Sequence, residues 1–347
     1  MEERVNINQL LDQIPQPGFL VQSGQILHAN QAAAAMMLAP GQAFCPMVTS
    51  GMEDYQDLQD GQICLTLTIG DRHHNAVVSR MGGYDVVLLD AVQAAEEFRS
   101  MALVSMELRG TLMQAISSAR QMDASNDAAA AKMNQSLMQM LRLVSNMGDI
   151  SRYTASARME LRDVDAFLLE LFDKAQTLTE GRVSIRFEGL RQPVFSRIDP
   201  EQLERAVWNI LSNCIKFLPD GGKIHAVLTR QGNRLRLTVE DSGSGIAESV
   251  RANLFSRYLR QPGIEDSRYG LGLGLAIVRT VAANHEGTVL ISTAATGGTK
   301  IAMTLAIRTD DSNSLHSPVF RPDYTGGWDH GLVELSDCLD SQWYQTL

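Results

Sequence analysis

The chain has 347 residues, 44% of them hydrophobic, and carries 30 Lys and Arg against 40 Asp and Glu for a formal net charge of −10. That length implies two or three domains, and the acidic balance argues against nucleic-acid binding and against docking on an anionic membrane. The four cysteines are scattered without a C-x-x-C pair, and no apolar run approaches the ~20 residues of a membrane span, so the expectation is a reduced, cytoplasmic protein without a cysteine-held metal site.

In chain order, Leu10, Leu11 and Ile14 predict a short helix stopped by Pro15 and Pro17. Residues 18–28 read as a hairpin turning at Ser23-Gly24. An alanine- and methionine-rich helix over 32–38 comes next and ends at Pro40-Gly41. Strands are expected at 63–69, 75–80 and 84–89, the first alternating through Ile63, Leu65, Leu67 and Ile69. Together they make a compact α+β domain over 1–90. The passage GFLVQSGQILHANQAAAAMM resembles the opening of a PAS sensor domain. His28, His73 and His74 are read as surface residues rather than cofactor ligands.

From Met101 the apolar spacing becomes helical: Met101, Val104, Leu108, Leu112, Ala115, Ala119 and Met122. A polar break at 123–127 leads to a second seam at Met133, Leu137, Met140, Val144 and Met147. Two long amphipathic helices joined by a short turn predict an antiparallel hairpin over 97–158. Such a hairpin cannot bury its seam alone, so a second copy completing a four-helix bundle is expected, giving a homodimer.

The stretch FRSMALVSMELRGTL, with Ser105, Glu107, Leu108, Arg109 and Leu112, resembles the H-box of sensor histidine kinases, here at 105–112. Met106 stands where that family has its phosphoacceptor histidine. At ~100° per residue, position 106 falls opposite Val104 and Leu108. A thioether cannot accept and hold a phosphoryl group. Ser105 is an alternative acceptor, but a serine phosphate ester is too unreactive to feed a relay to aspartate. In ordinary members of the family the counterpart of Glu107 acts as base while the histidine attacks the γ-phosphate.

Residues 164–179 predict a helix, and 183–188 and 194–198 predict strands. Asp199, Pro200 and Gln202 form a helix start with Asp as N-cap, Pro at the first helical position and Gln as in a capping box. In the helix that they open, Val207, Ile210, Leu211, Cys214 and Ile215 make an apolar stripe. Asn209, Asn213 and Lys216 line the other side. Strands at 223–229 and 235–240 meet at the turn 231–233. The second delivers Asp241-Ser-Gly243-Ser-Gly245-Ile246, a carboxylate at a strand end followed by spaced glycines. Later Gly270-Leu271-Gly272-Leu273-Gly274-Leu275 opens a helix, a ready phosphate cradle.

The order and spacing of these segments over 160–308 resemble the ATP-binding domain of histidine kinases, within the family shared with gyrase B, Hsp90 chaperones and MutL. The resemblance implies an α/β sandwich and a set of roles. Asn213 would ligate Mg²⁺, while Asn209 and Lys216 would face the ATP phosphates. Asp241, with Gly243, Gly245 and Ile246, would recognise adenine. Tyr258 and Arg260 fall in the F-box, 261–269 in the ATP lid, and Gly270 to Leu275 in the second glycine box. Thr299 follows the last glycine pair, near the adenine. Leu271 replaces a common Thr, and Cys214 a common Ala. Hydrolysing relatives carry a general-base Glu where Asn209 stands, so fast ATP hydrolysis is not expected.

The tail, 309–347, is acidic but contains Phe320, Tyr324, Trp328, Trp343 and Tyr344, and is expected to be partly ordered, docked on the chain itself or on a partner. The fold expected is therefore multidomain α+β: a PAS-like sensor, a dimeric helical hairpin and an α/β-sandwich ATP-binding domain. The function expected is an Mg·ATP-binding, pseudokinase-like regulator or scaffold in two-component signalling, partnered by a response regulator or another signalling protein. The alternatives are an active kinase using another acceptor, and an ATPase of the wider superfamily.

Overall fold

The computed structural model describes residues 2–59, 61–89, 94–120, 127–153, 157–246, 273–309 and 325–345. The N-terminal unit runs α1 (Glu2–Asp12), β1 (Gly18–Gln22), β2 (Gln25–Ala29), α2 (Gln31–Ala34), β3 (Val48–Ser50), α3 (Met52–Asp57), β4 (Gly61–Ile69), β5 (Arg72–Met81) and β6 (Tyr84–Leu89). The hairpin turns at Ser23 (φ 51°) and Gly24 (φ 75°). Asn30, just beyond β2, ties three segments together. Its Oδ1 accepts from Ala33 N at 2.9 Å as the cap of α2 and from Gly18 N at 3.0 Å. Its Nδ2 donates to the carbonyls of Leu11, Ile14 and Gln16, joining α1 to the hairpin. Helix α2 is shorter than its alanines suggest, because Met37 turns left-handed (φ 65°) and sends Leu38 into the core. Phe19, Phe44, Tyr55, Ile63, Leu65, Leu67, Val78 and Val87 form that core.

Two helices of 27 residues each, α4 (Ala94–Arg120) and α5 (Asp127–Tyr153), make the hairpin. Their contact is offset from the seam read in the sequence. Ser105 abuts Gly148, Arg109 donates to Ser145 Oγ at 2.8 Å, and Leu112, Ile116, Met138 and Leu141 are buried. Val104, Leu108, Met133 and Met140, all seam residues, stay exposed.

The remaining elements are β7 (Glu160–Asp163), α6 (Val164–Leu178), β8 (Val183–Glu188), β9 (Phe195–Ile198), α7 (Pro200–Phe217), β10 (Gly222–Gln231), β11 (Arg234–Asp241), α8 (Leu273–Asn284), β12 (Val289–Thr293) and β13 (Thr299–Ala306). Strands β10 and β11 alternate cleanly, with Ile224, Ala226, Leu228, Leu235, Leu237 and Val239 on the inner face beneath α6, α7 and α8. Strand β12 also pairs with β4, Leu290 opposite Ile63. One sheet in the order β2-β1-β6-β5-β4-β12-β13-β11-β10-β8 therefore runs through both units, with β3 beside β4. Gly61 permits the junction: it has φ 115°, and a Cβ there would lie 2.3 Å from the Ile291 carbonyl oxygen. Asp54 of α3 bonds Thr288 Oγ1 at 2.5 Å and pairs with Arg236, adding a polar tie across the same junction.

Residues 325–345, with α9 (His330–Glu334) and a 3-10 turn (Ser341–Tyr344), pack onto α5, α6 and α7. Val333, Leu335, Cys338, Leu339 and Tyr344 join the core shared by the hairpin and the α6–α8 layer. Phe320, Tyr324 and the linker 310–324 lie outside the described residues.

Candidate functional site

Helix α7 carries the polar row and is held at its start. Asp199 Oδ1 caps Gln202 N at 3.1 Å, and Gln202 Nε2 returns to Asp199 Oδ2 at 3.0 Å. The expected capping box would have given the Asp199 backbone N–H to Gln202. It donates instead to His285 Nε2 at 3.0 Å, while His285 Nδ1 bonds the Val281 carbonyl at 2.7 Å. The ring is thus a neutral Nδ1–H tautomer that locks the start of α7 to the end of α8. Burial is the main cause of its lowered pKa.

The polar row is not uniform. Asn209 is only 1% exposed, its Nδ2 donating to the Arg205 carbonyl at 2.8 Å. A Cβ at Gly274 would sit 2.7 Å from Asn209 Oδ1, so the glycine lets the first turn of α8 close on α7. The Asn213 side chain is half-buried and has no hydrogen bond to any described residue. Lys216, one turn on, is already engaged: its Nζ lies 3.0 Å from Asp337 Oδ2 of the tail.

At the end of β11, Asp241 is buried, and its Oδ1 accepts from Gly243 N at 2.8 Å and Thr299 N at 3.1 Å. Those two bonds fix the carboxylate plane and join the turn after β11 to the turn before β13. Both turns need glycine: a Cβ at Gly298 would lie 2.0 Å from the Asp241 carbonyl oxygen, and one at Gly245 (φ 72°) 2.6 Å from that of Gly297. Cys214 lies beside Asp241. Burial and the carboxylate push its thiol well up, so it stays a neutral S–H. Ile246 and Leu275 are half-buried and pack on the core, and Leu273 is buried.

The structure thus gathers Asp241, Gly243, Gly245 and Thr299 at one pole, and Asn209 with Gly274 at another, with Asn213 and Lys216 along α7. Tyr258, Arg260, Gly270, Leu271, Gly272 and the 261–269 segment lie outside the described residues, as does the Glu107 side chain. Met106 is 73% exposed on α4, whereas Ser105 is 4% exposed against Gly148. Among the described residues no cluster of three or more His, Cys, Asp or Glu could hold a metal. The Asn213 amide oxygen suits Mg²⁺, which takes one or two protein oxygens and fills its shell with phosphate and water.

Residues 198–309 match the family of histidine kinase-, DNA gyrase B- and HSP90-like ATPases. The sensor histidine kinase TmoS of Ectopseudomonas mendocina is 35% identical over 169 residues, which is 46% of this chain and 17% of that protein. Residues 198–309 thus form a histidine-kinase-type ATP-binding domain, like those of sensor histidine kinases. The alginate biosynthesis sensor protein KinB of Pseudomonas aeruginosa is 28% identical over 180 residues, 50% of this chain and 29% of that one. The matched segments therefore span less than a third of either relative. The crystal structure of full-length ShkA with AMPPNP shares the fold at a TM-score of 0.50 and 22% identity, covering 61% of this chain and 46% of that one. No helix among the described residues is long and apolar enough to cross a membrane.

Sequence reasoning missed His285, Asp54, Glu334 and Asp337. Only the last two carried a signal, as acidic residues three apart among aromatics in the tail.

Proposed function

We propose that this histidine-kinase-family protein binds Mg·ATP and acts as a signalling regulator or scaffold rather than as an autokinase. Asp241 carries the nucleotide reading. One oxygen is held by two backbone N–H groups, which leaves the other to accept from the exocyclic amine of adenine. Asn213 would hold Mg²⁺, and Lys216 and the glycine amides before α8 would meet the phosphates. The metal would neutralise charge on the phosphate oxygens.

Met106 carries the second half of the reading. It projects to solvent on α4, where an acceptor would meet nucleotide, and its thioether cannot form a phosphoramidate. Ser105 cannot replace it, because it is buried against α5. The exposed Val104, Leu108, Met133 and Met140 favour a homodimer through the hairpin. The N-terminal unit serves as a PAS-like input domain, and a response regulator or other signalling protein as the partner.

Calorimetric titration tests the nucleotide reading. The full chain is expected to bind one ATP with an Mg²⁺ requirement. Asp241→Ala should abolish binding of both ATP and adenosine, and Asn213→Ala should remove the Mg²⁺ requirement. Unchanged ATP binding by Asp241→Ala would overturn it.

A further inference from the structure

The tail meets the rest of the chain at four places that matter for the nucleotide site. Gly326 (φ 68°) packs on Met113, seven residues after Met106 and hence two turns along the same face of α4. Gln135 donates to the carbonyls of Ser336 and Leu339, Gln139 to that of Ser336, and Asn134 to that of Tyr344, fastening the tail along α5. Lys174 of α6 pairs with Asp329 at 2.8 Å, and Glu204 of α7 with His330 at 2.8 Å. Finally, Asp337 Oδ2 is shared between Arg142 Nη1 of α5 at 2.9 Å and Lys216 Nζ of α7 at 3.0 Å. Tyr344, at 0% exposure, closes the far end, its hydroxyl donating to the Leu332 carbonyl at 2.8 Å.

We infer that residues 325–345 are an autoinhibitory strap, which fixes the ATP-binding domain against the hairpin and competes with nucleotide phosphate for Lys216. The inference rests on the proposed nucleotide site. One ammonium cannot serve the Asp337 carboxylate and an incoming phosphate equally. Nucleotide and strap therefore weaken each other by the same factor. A ligand without phosphates reaches Asp241 but not Lys216, and is indifferent to the strap. The strap also spans α4 to α7, so its release removes one of the ties between the ATP-binding domain and the hairpin, leaving those that run directly from α5 to α7 and α8.

Cys338 reports the strap's position. Its thiol is buried against Ser212 of α7, and burial pushes its pKa up, whereas Cys45 is exposed and serves as the internal standard. The experiment uses the full chain and Asp337→Asn, a nearly isosteric change at a partly exposed side chain. It measures ATP and adenosine affinity by calorimetry, and Cys338 alkylation by peptide mapping with and without Mg·ATP. Asp337→Asn should tighten ATP binding about fivefold or more and leave adenosine unchanged. Mg·ATP should accelerate Cys338 alkylation in the unaltered chain by a similar factor. ATP binding by the variant alone also supports the strap, as complete inhibition. Equal ATP affinities in the two proteins, or a Cys338 that stays protected at saturating Mg·ATP, overturn the strap and leave the nucleotide reading standing. Failure of both proteins to bind ATP and adenosine overturns both.

Discussion

Arg205 of α7 and Asp149 of α5 form a fully buried ion pair, Nη2 to Oδ2 at 2.5 Å and Nε to Oδ2 at 2.7 Å. The same guanidinium donates to Asn146 Oδ1 at 2.7 Å and pairs with the buried Glu334 of the tail. Hairpin, ATP-binding domain and tail thus converge on one cation. Such a cluster specifies an arrangement more than it stabilises one, but breaking it strands charge in the interior. Arg205→Met should strip the buried carboxylates of Asp149 and Glu334 of the guanidinium they share and lower unfolding stability by about 3–5 kcal/mol. Thermal melting or urea titration measures this.

The junction between the N-terminal unit and the ATP-binding domain depends on Gly61. A side chain there meets the Ile291 carbonyl in a backbone conformation that L-residues avoid. Gly61→Val should part β4 from β12, leaving both as edges. Amide hydrogen exchange at Val289 to Ile291 should then rise by an order of magnitude or more, while exchange along β10 and β11 stays slow.

His285 adds a pH dependence. Its folded pKa lies below the ordinary 6.5 because burial disfavours the cation, and its Nε2 must accept from Asp199 N. The unfolded chain therefore binds a proton that the folded chain refuses. Stability is full above about pH 6.5 and falls as the pH drops from there toward the folded pKa, at up to ~1.4 kcal/mol per unit. His285→Gln should be less stable at about pH 8 and lose less between there and pH 5.5. Parallel melts at the two pH values check this.

Where burial and pattern agree, the fold was legible. Strands β10 and β11 alternate, and Asp199-Pro200 announces α7. Strand β12, Val-Leu-Ile-Ser-Thr, went unread because its alternating burial is not matched by an alternating sequence, and β13 because it is buried at five successive positions, Ile301 to Leu305. Strand β7, Glu-Leu-Arg-Asp, has no apolar pattern and is ordered only by pairing with β9. The site was legible where glycines constrain the backbone, at Gly245, Gly274 and Gly298. It was not legible where two distant segments meet. Asp337 has meaning only beside Lys216, 121 residues away, and the burial of Asn209 depends on Gly274 of a distant helix closing against it.

Whether Met106 leaves the proposed ATP site without a phosphoacceptor is decided most directly by phosphoryl labelling. The full chain is incubated with Mg²⁺ and γ-labelled ATP, and bound label is challenged with acid and with base. Saturable nucleotide binding and no covalent label are expected. Acid-labile, base-stable label on the unaltered chain would contradict this, because that signature belongs to a phosphohistidine.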